Sequence, residues 1–281
     1  MLYNMIFWWY NSVMIKNLSL VQFKNSDFYF LYVERLADKG MTNRPWHDHS
    51  FYEIMFVAEG ESEYVIENRR FLLKGGDALL VKPYLRHFEH NRIAAPSSLY
   101  CLGFSADKIS NGALAEKVFG NAEHITVGTD SPFALLMRAL KNKLSFSKSN
   151  ALPFVESLTE AIIMTLEDGT AIKAPEANVK NGAVHKAIEY INANIFSIKT
   201  LDDIAQPLFF SKNYVRTAFK KELGIGIMEY VRNKKLLLAH ERIRNGEKPS
   251  DIYIECGFGT YSSFYRAYLA YFGHSPKFRH T

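Results

Sequence analysis

Cysteine is almost missing from this 281-residue chain, which carries only Cys101 and Cys256. Two thiols so far apart in sequence suit neither a disulfide framework nor a zinc site, and they fit a reducing cytosol. A long hydrophobic run is missing as well. The apolar start, Met1-Leu-Tyr-Asn-Met-Ile-Phe-Trp-Trp-Tyr10, has no basic n-region and no small-residue cleavage site. It does not read as a signal peptide, and it is too short to span a bilayer. Met14, followed by Ile-Lys-Asn, reads as an alternative start. Extreme charge is absent too. A net charge of +5, with 48% hydrophobic and 22% charged residues, is near the globular average and argues against wholesale disorder. The expectation is a cytoplasmic protein, not associated with a membrane, with room for two separately cored domains.

The charge that is present lies unevenly. Residues 183–281 hold fifteen Lys and Arg against nine Asp and Glu, whereas the rest of the chain holds nineteen against twenty. Excess positive charge confined to one segment is the footprint of a surface that meets phosphates, although small basic domains also occur without one.

That basic segment carries one pattern twice: a short helix, a turn, then a helix closed by Gly. The first copy runs Leu201-Asp-Asp-Ile204-Ala205, then Ser211-Lys-Asn-Tyr-Val215-Arg-Thr-Ala-Phe219-Lys-Lys and Gly224. The second runs Asp251-Ile252-Tyr-Ile-Glu-Cys-Gly257-Phe258, then Ser262-Ser-Phe264-Tyr-Arg266-Ala-Tyr268, Gly273 and Pro276. Tandem helix-turn-helix units place two helices in successive major grooves, about one turn of DNA apart. Between them Met228–Ile243 reads as one long amphipathic helix, ended by Asn245-Gly246, that sets their spacing.

Ser211 is a good N-cap. On the helix it opens, Val215, Ala218 and Phe219 share the inward face, which leaves Lys212, Asn213, Arg216, Thr217 and Lys220 facing outward. Arg can grip guanine and Asn can pair with adenine, each worth about 1–3 kcal/mol of discrimination. Lys220 and Lys221, near the far end, suit phosphates. The second unit offers Ser262, Tyr265 and Arg266 outward, with Phe264 and Tyr268 inward. Leu269, Ala270 and Tyr271 stand where basic residues would help, so the first unit is expected to dominate affinity. A solvated basic face is the plainer reading of the first helix taken alone. The tandem repeat favours DNA.

Asp251-Ile252, Gly257-Phe258, Ser262, Phe264, Arg266, Gly273, Pro276 and Arg279 stand in the order and nearly the spacing of a known signature. Residues from about Val184 to Arg279 resemble the DNA-binding domain of the AraC family of bacterial transcription regulators. The resemblance implies monomeric use of both helices, with bases read from Asn213, Arg216, Thr217, Ser262, Tyr265 and Arg266. Three features depart from it: Tyr253 replaces a small Ala, Tyr268 replaces a Phe, and the stretch Pro276–Arg279 is one residue short.

Upstream, Phe28–Val33, Tyr52–Val57, Glu63–Ile66, Ala78–Val81 and Leu99–Phe104 read as short strands. Gly60, Gly75-Gly76-Asp77 and Pro83 punctuate them with the spacing of a sandwich or barrel. Helical periodicity then puts Phe133, Leu136, Met137, Leu140 and Leu144 on one face, and Leu158, Ile162, Ile163 and Leu166 on another. Such a pair either buries itself or joins two copies, and a homodimer is slightly favoured. Asp168–Gly182 is aperiodic and reads as a linker. The expected fold class is α+β with two domains: a β-barrel with flanking helices over residues 14–167, linker 168–182, and an all-α double helix-turn-helix domain over 183–281.

Pro45-Trp-His47-Asp-His49-Ser-Phe-Tyr-Glu53 has His-x-His-x-x-x-Glu spacing, and Gly76-Asp77, Pro83, His87 and Asn91 follow. This resembles the cupin barrel, the usual sensory domain of the AraC family. The resemblance implies that His47, His49, Glu53 and His87 line an effector pocket. In metal-bearing cupins the matching positions bind a divalent ion. Alternate residues on a strand share a face, so His47 and His49 are expected to point together into the barrel. A metal-free effector pocket is preferred to a metal site and to plain packing, with no cofactor, and sugars or other polyols suit such a lining. The chain then reads as an effector-responsive transcription activator and not an enzyme, with promoter DNA, a small-molecule effector and RNA polymerase as partners. A cupin metalloenzyme for oxidation or isomerisation, recruited to nucleic acid, is the alternative. A sequence-indifferent architectural binder is a third, which the outward Asn213 and Arg216 disfavour.

Overall fold

The structure, a computed structural model, describes residues 15–22, 28–35, 47–49, 51–67, 69–89, 96–146, 151–172, 182–244, 246–272 and 274–276. Asn91, Asn245, Gly273, Arg279 and the start around Met14 lie outside them. The chain divides into two units, Met1–Asn178 and Val179–Thr281.

The first unit is built from strands β1 (Ile15–Gln22), β2 (Tyr29–Arg35), β3 (Tyr52–Glu59), β4 (Glu61–Ile66), β5 (Arg69–Lys74), β6 (Asp77–Val81), β7 (His87–Glu89), β8 (Ser97–Phe104), β9 (His124–Thr126) and β10 (Thr170–Ile172), with helices α1 (Gly112–Asn121), α2 (Pro132–Phe146) and α3 (Ala151–Leu166). A seven-stranded sheet runs β1-β2-β8-β3-β6-β9-β10, and a three-stranded sheet runs β5-β4-β7. Alternation along the large sheet feeds two cores. Phe30, Tyr32, Ile54, Phe56, Leu80 and Leu102 face the helices and pack with Phe133, Met137, Leu140, Ile162 and Ile163. Their neighbours Leu31, Val33, Met55, Val57, Leu79 and Val81 face the small sheet and pack with Tyr64, Ile66, Phe71 and Leu73. Each such buried side chain stabilises the fold by about 1.5–3 kcal/mol relative to exposure. Burial on both faces explains why these strands read as continuous apolar runs.

Three expectations need correction. The apolar stripes of α2 and α3 are not a dimer face, because Phe133, Met137, Leu140, Leu144, Ile162, Ile163 and Leu166 are all buried within their own unit. The stretch 168–182 is not all linker, because β10 adds a strand paired with β9, Ala171 opposite Ile125. His47 and His49 do not alternate on a strand. His47 forms an isolated bridge with His87, and His49 lies in no regular element.

One register decides how the inner face is used. Gly103 of β8 is the partner of Tyr29 in β2 and of Glu53 in β3. A Cβ at Gly103 would land inside the Tyr29 ring. The missing side chain lets Tyr29 lie across β8, where its hydroxyl donates to the Glu53 carboxylate.

The second unit is helical: α4 (Gly182–Asn194), α5 (Asp202–Ala205), α6 (Lys212–Leu223), α7 (Ile227–Arg244), α8 (Pro249–Ile252) and α9 (Tyr261–Phe272). Ser211 caps α6, accepting from the Tyr214 N–H at 3.2 Å, and Thr260 caps α9, accepting from the Ser263 N–H at 3.1 Å. The long α7 serves both helix-turn-helix units. Tyr230 meets Phe219 of α6, ring centroids 5.2 Å apart. Leu236, Ala239 and Ile243 join a cluster with Ile252, Cys256, Phe264 and Tyr268. The departure at Tyr268 is accommodated here, because its hydroxyl meets His240 Nδ1 at 2.5 Å.

Both turns close in the same way. Phe210 N–H donates to the Ala205 carbonyl at 2.9 Å and Phe209 N–H to Gln206 at 3.0 Å. In the second unit Phe258 N–H donates to Tyr253 at 3.0 Å and Gly257 N–H to Ile254 at 2.8 Å. This is the Schellman pattern, which needs a left-handed residue. Gly257 supplies it at φ +79°, and Phe209 supplies it at φ +57° while 96% exposed.

Two outcomes follow from this packing. Phe209→Gly should raise stability by roughly 1 kcal/mol, since a side chain in the left-handed region costs about that much and no burial is lost. A denaturant midpoint that falls would contradict this. Gly103→Ala should lower stability by roughly 1–3 kcal/mol through overpacking against Tyr29, read from the same unfolding curves.

Candidate functional site

Between the two sheets a polar cluster interrupts the apolar packing. His47 and His87 exchange backbone hydrogen bonds of 3.1 and 2.9 Å, which places their rings 4.2 Å apart. The His49 ring lies 4.9 Å from that of His87 and stacks on Phe51 at 3.9 Å. One ring nitrogen on each of the three can lie within 4.8 Å of the others. Glu53 enters from β3 and is buried, so all four residues predicted for the effector pocket come together.

The orientation of the rings restricts their chemistry. His49 Nδ1 turns to the Phe51 carbonyl at 2.9 Å and His87 Nδ1 to the Leu85 carbonyl at 2.8 Å. Those contacts put the ring protons on Nδ1 and leave both Nε2 atoms facing Glu53 Oε2, at 3.2 and 3.0 Å. An imidazole lone pair does not sit against a carboxylate unless a proton or a cation lies between them. Burial pushes the Glu53 carboxyl up, but hydrogen bonding and charge from His49 and His87 outweigh it and hold it well below the ordinary carboxylate range. His87 is almost fully buried, and its Nε2 has the Glu53 carboxylate as its near neighbour.

Tyr29 belongs to this site and was not anticipated. The available signal was Gly103, a glycine inside a strand, which often marks a close approach by another group.

In the second unit the outward residues lie as the helical period requires. Lys212, Asn213, Arg216, Thr217, Lys220 and Lys221 on α6 are exposed, as are Ser262, Tyr265 and Arg266 on α9. Not all are equally available. Lys212 pairs with Asp202 at 2.8 Å. Lys220 Nζ donates to the Gly224 carbonyl at 2.9 Å, whereas Lys221 is exposed beside it. Arg266 Nε lies 3.4 Å from the Ser262 carbonyl, back along its own helix. The row Lys212, Arg216 and Lys220 on α6 corresponds to Tyr261, Tyr265 and Leu269 on α9, which are 38%, 37% and 41% exposed. Along this row α6 is therefore basic and α9 largely apolar. No helix among the described residues is long and apolar enough to cross a membrane.

Comparison with known proteins agrees with this arrangement. The model of the AraC-like ligand binding domain matches residues 30–166, and that of a helix-turn-helix domain matches residues 204–278. The Msm operon regulatory protein of Streptococcus mutans is 25% identical over 232 residues, covering 81% of this chain and 84% of that protein. The lactose operon transcription activator of Staphylococcus xylosus is 21% identical over 230 residues, covering 80% and 82%. Among solved structures, ToxT from Vibrio cholerae aligns over 89% of this chain and 96% of its own, at 13% identity and a TM-score of 0.36. With a ligand-binding domain model on the β-rich part and a helix-turn-helix model on the helical part, the chain belongs to the AraC family of DNA-binding transcription regulators.

Proposed function

We propose that this regulator is an effector-responsive activator, acting in the cytoplasm without catalysis and engaging RNA polymerase at its promoters. Its sensor runs through β10, its reader begins near Gly182, and α6 and α9 read two boxes about one helical turn apart. The observation that carries the effector reading is the cluster of His47, His49, Glu53 and His87 gathered between the two sheets, with the Nε2 atoms of His49 and His87 both on the buried Glu53 carboxylate. Hydrogen-bonding groups set among aromatic walls suit a small polar molecule. A relative named for a lactose operon supports a sugar. Occupancy would shift DNA binding through the effector's differential affinity for two states of the protein.

The test begins with selection of binding sites from a random duplex pool at controlled salt. Two enriched boxes about one turn apart are expected. Arg216→Ala should then relax preference at one position and cost about 1–3 kcal/mol, while Lys221→Ala should weaken all duplexes alike and lower the salt slope by about one. A panel of sugars is screened by thermal shift and for altered affinity on the selected duplex. Glu53→Ala should abolish both responses and leave effector-free DNA binding unchanged. Intact responses in that variant would remove the cluster's role.

A second reading is favoured by the rings themselves. Metal-binding histidines usually donate their other ring N–H to a carbonyl or carboxylate, as the Nδ1 atoms of His49 and His87 are placed to do. His47, His49 and His87, with Glu53 as a fourth group, would hold a divalent transition ion, since imidazole with carboxylate suits such ions. When bound, the ion would supply a positive centre able to take an oxygen of the effector. Titration of the chelator-treated protein with Co(II) should then give visible absorption at one equivalent, lost in His87→Ala. A featureless titration, with no stoichiometric metal by elemental analysis, would leave the metal-free pocket.

A further inference from the structure

Lys235 is buried, at 5% exposure, in the middle of α7. No carboxylate pairs with it among the described residues. Its ammonium donates instead to the Ile198 carbonyl at 2.5 Å. Ile198 lies in the segment that leads from α4 into α5, on the side of the first helix-turn-helix unit. The other side of the same ammonium rests on the second unit, because a Cβ added at Gly257 would collide with Lys235 Nζ and crowd its Cε at 3.1 Å and Cδ at 3.3 Å. Gly257 is the left-handed residue of the second turn, at φ +79°.

Lys235 thus stands where α7 changes partners. Tyr230, about one and a half turns earlier, packs on Phe219 of α6. Leu236, the next residue, opens the cluster with Ile252, Cys256 and Phe264. An apolar side chain of the same length would fill this space without the cost of burying an ammonium. Burial pulls the Lys235 ammonium below its ordinary range. What a hydrogen-bonded ammonium adds over a methionine is direction: it fixes the Ile198 segment and the Gly257 turn to one point on one helix.

We propose that Lys235 is the positioning residue that sets the pose of the second helix-turn-helix unit against the first, and so the box spacing this regulator accepts. The inference rests on the bipartite DNA reading. Both α6 and α9 pack on α7 largely through apolar contacts, which are non-directional and permit small rotations. The second unit adds the Tyr268–His240 hydrogen bond and the Arg242–Glu255 ion pair at 2.7 Å, but neither of these also reaches the first unit, as Lys235 does through Ile198. A carbonyl–ammonium hydrogen bond pressed against a bare glycine face is directional and short. One inserted base pair moves the second box by about 3.4 Å along the DNA axis, a displacement that a pinned pair of helices should reject and a loosened pair should tolerate.

The experiment uses the full chain and its own selected duplexes. The unsubstituted protein should enrich two boxes at a single spacing, and one inserted base pair should weaken binding about tenfold, the scale of a misplaced contact. Lys235→Met should enrich the same two boxes with the spacing spread over neighbouring values, and the insertion penalty should fall to about threefold or less. Gly257→Ala, which displaces the ammonium while keeping the lysine, is the second variant and should spread the spacing in the same way. Circular dichroism confirms that each is folded at the assay temperature. A merely structural role would weaken binding at every spacing equally. If either folded variant retains the single spacing and the full penalty, the inference is overturned. If the unsubstituted protein enriches one box or none, the bipartite reading itself fails, and that arm separates the two results.

Discussion

Burial of the central strands of the seven-stranded sheet (β2, β8, β3 and β6) on both faces is the constraint from which the organisation of the first unit follows. Its strands alternate between a core shared with α2 and α3 and a core shared with the small sheet. A slip of one residue would exchange the two sets, so the register has one solution. That solution carries Tyr29 and Glu53 to the inner face with their apolar neighbours. Once buried there, a carboxylate must find partners. It finds the Tyr29 hydroxyl, made reachable by Gly103, and the two imidazoles of His49 and His87. The His–Glu cluster is a polar solution to a problem that the sheet's packing creates.

In the second unit α7 has the corresponding place. Each helix-turn-helix unit is too small to bury its own apolar face, and each completes its core against a different stretch of this helix. Equivalent scaffolding does not produce equivalent surfaces. The basic row of α6 and the apolar row of α9 occupy matching positions. The same asymmetry marks the turns. A glycine satisfies the Schellman geometry in the second, while the first imposes it on a fully exposed phenylalanine, a local strain that packing does not explain.

The departures from the family pattern are locally compensated. Tyr268 in place of Phe brings a hydroxyl into an apolar cluster, and His240 meets it. Tyr253 in place of Ala stacks edge-on against Tyr261, centroids 5.8 Å apart, and its carbonyl still closes the second turn.

The sequence by itself determined the two-part organisation, the main strands, the paired helices, the cap at Ser211 and the outward faces of α6 and α9. These depend on alternation, a 3.6-residue period and turn chemistry, all written within a few neighbouring residues. It also marked the four residues that come together in the polar cluster, though for an inexact reason, since the predicted alternation of His47 and His49 on a strand does not occur. A backbone bridge between His47 and His87 gathers the rings instead. Only the tertiary structure decided that the stripes of α2 and α3 face inward, that part of the apparent linker joins the sheet, that Tyr29 reaches Glu53 across Gly103, and that Lys235 lies between Ile198 and Gly257. Each of these joins residues tens of positions apart. Local pattern says which face of an element is apolar, but what covers that face is settled by long-range packing.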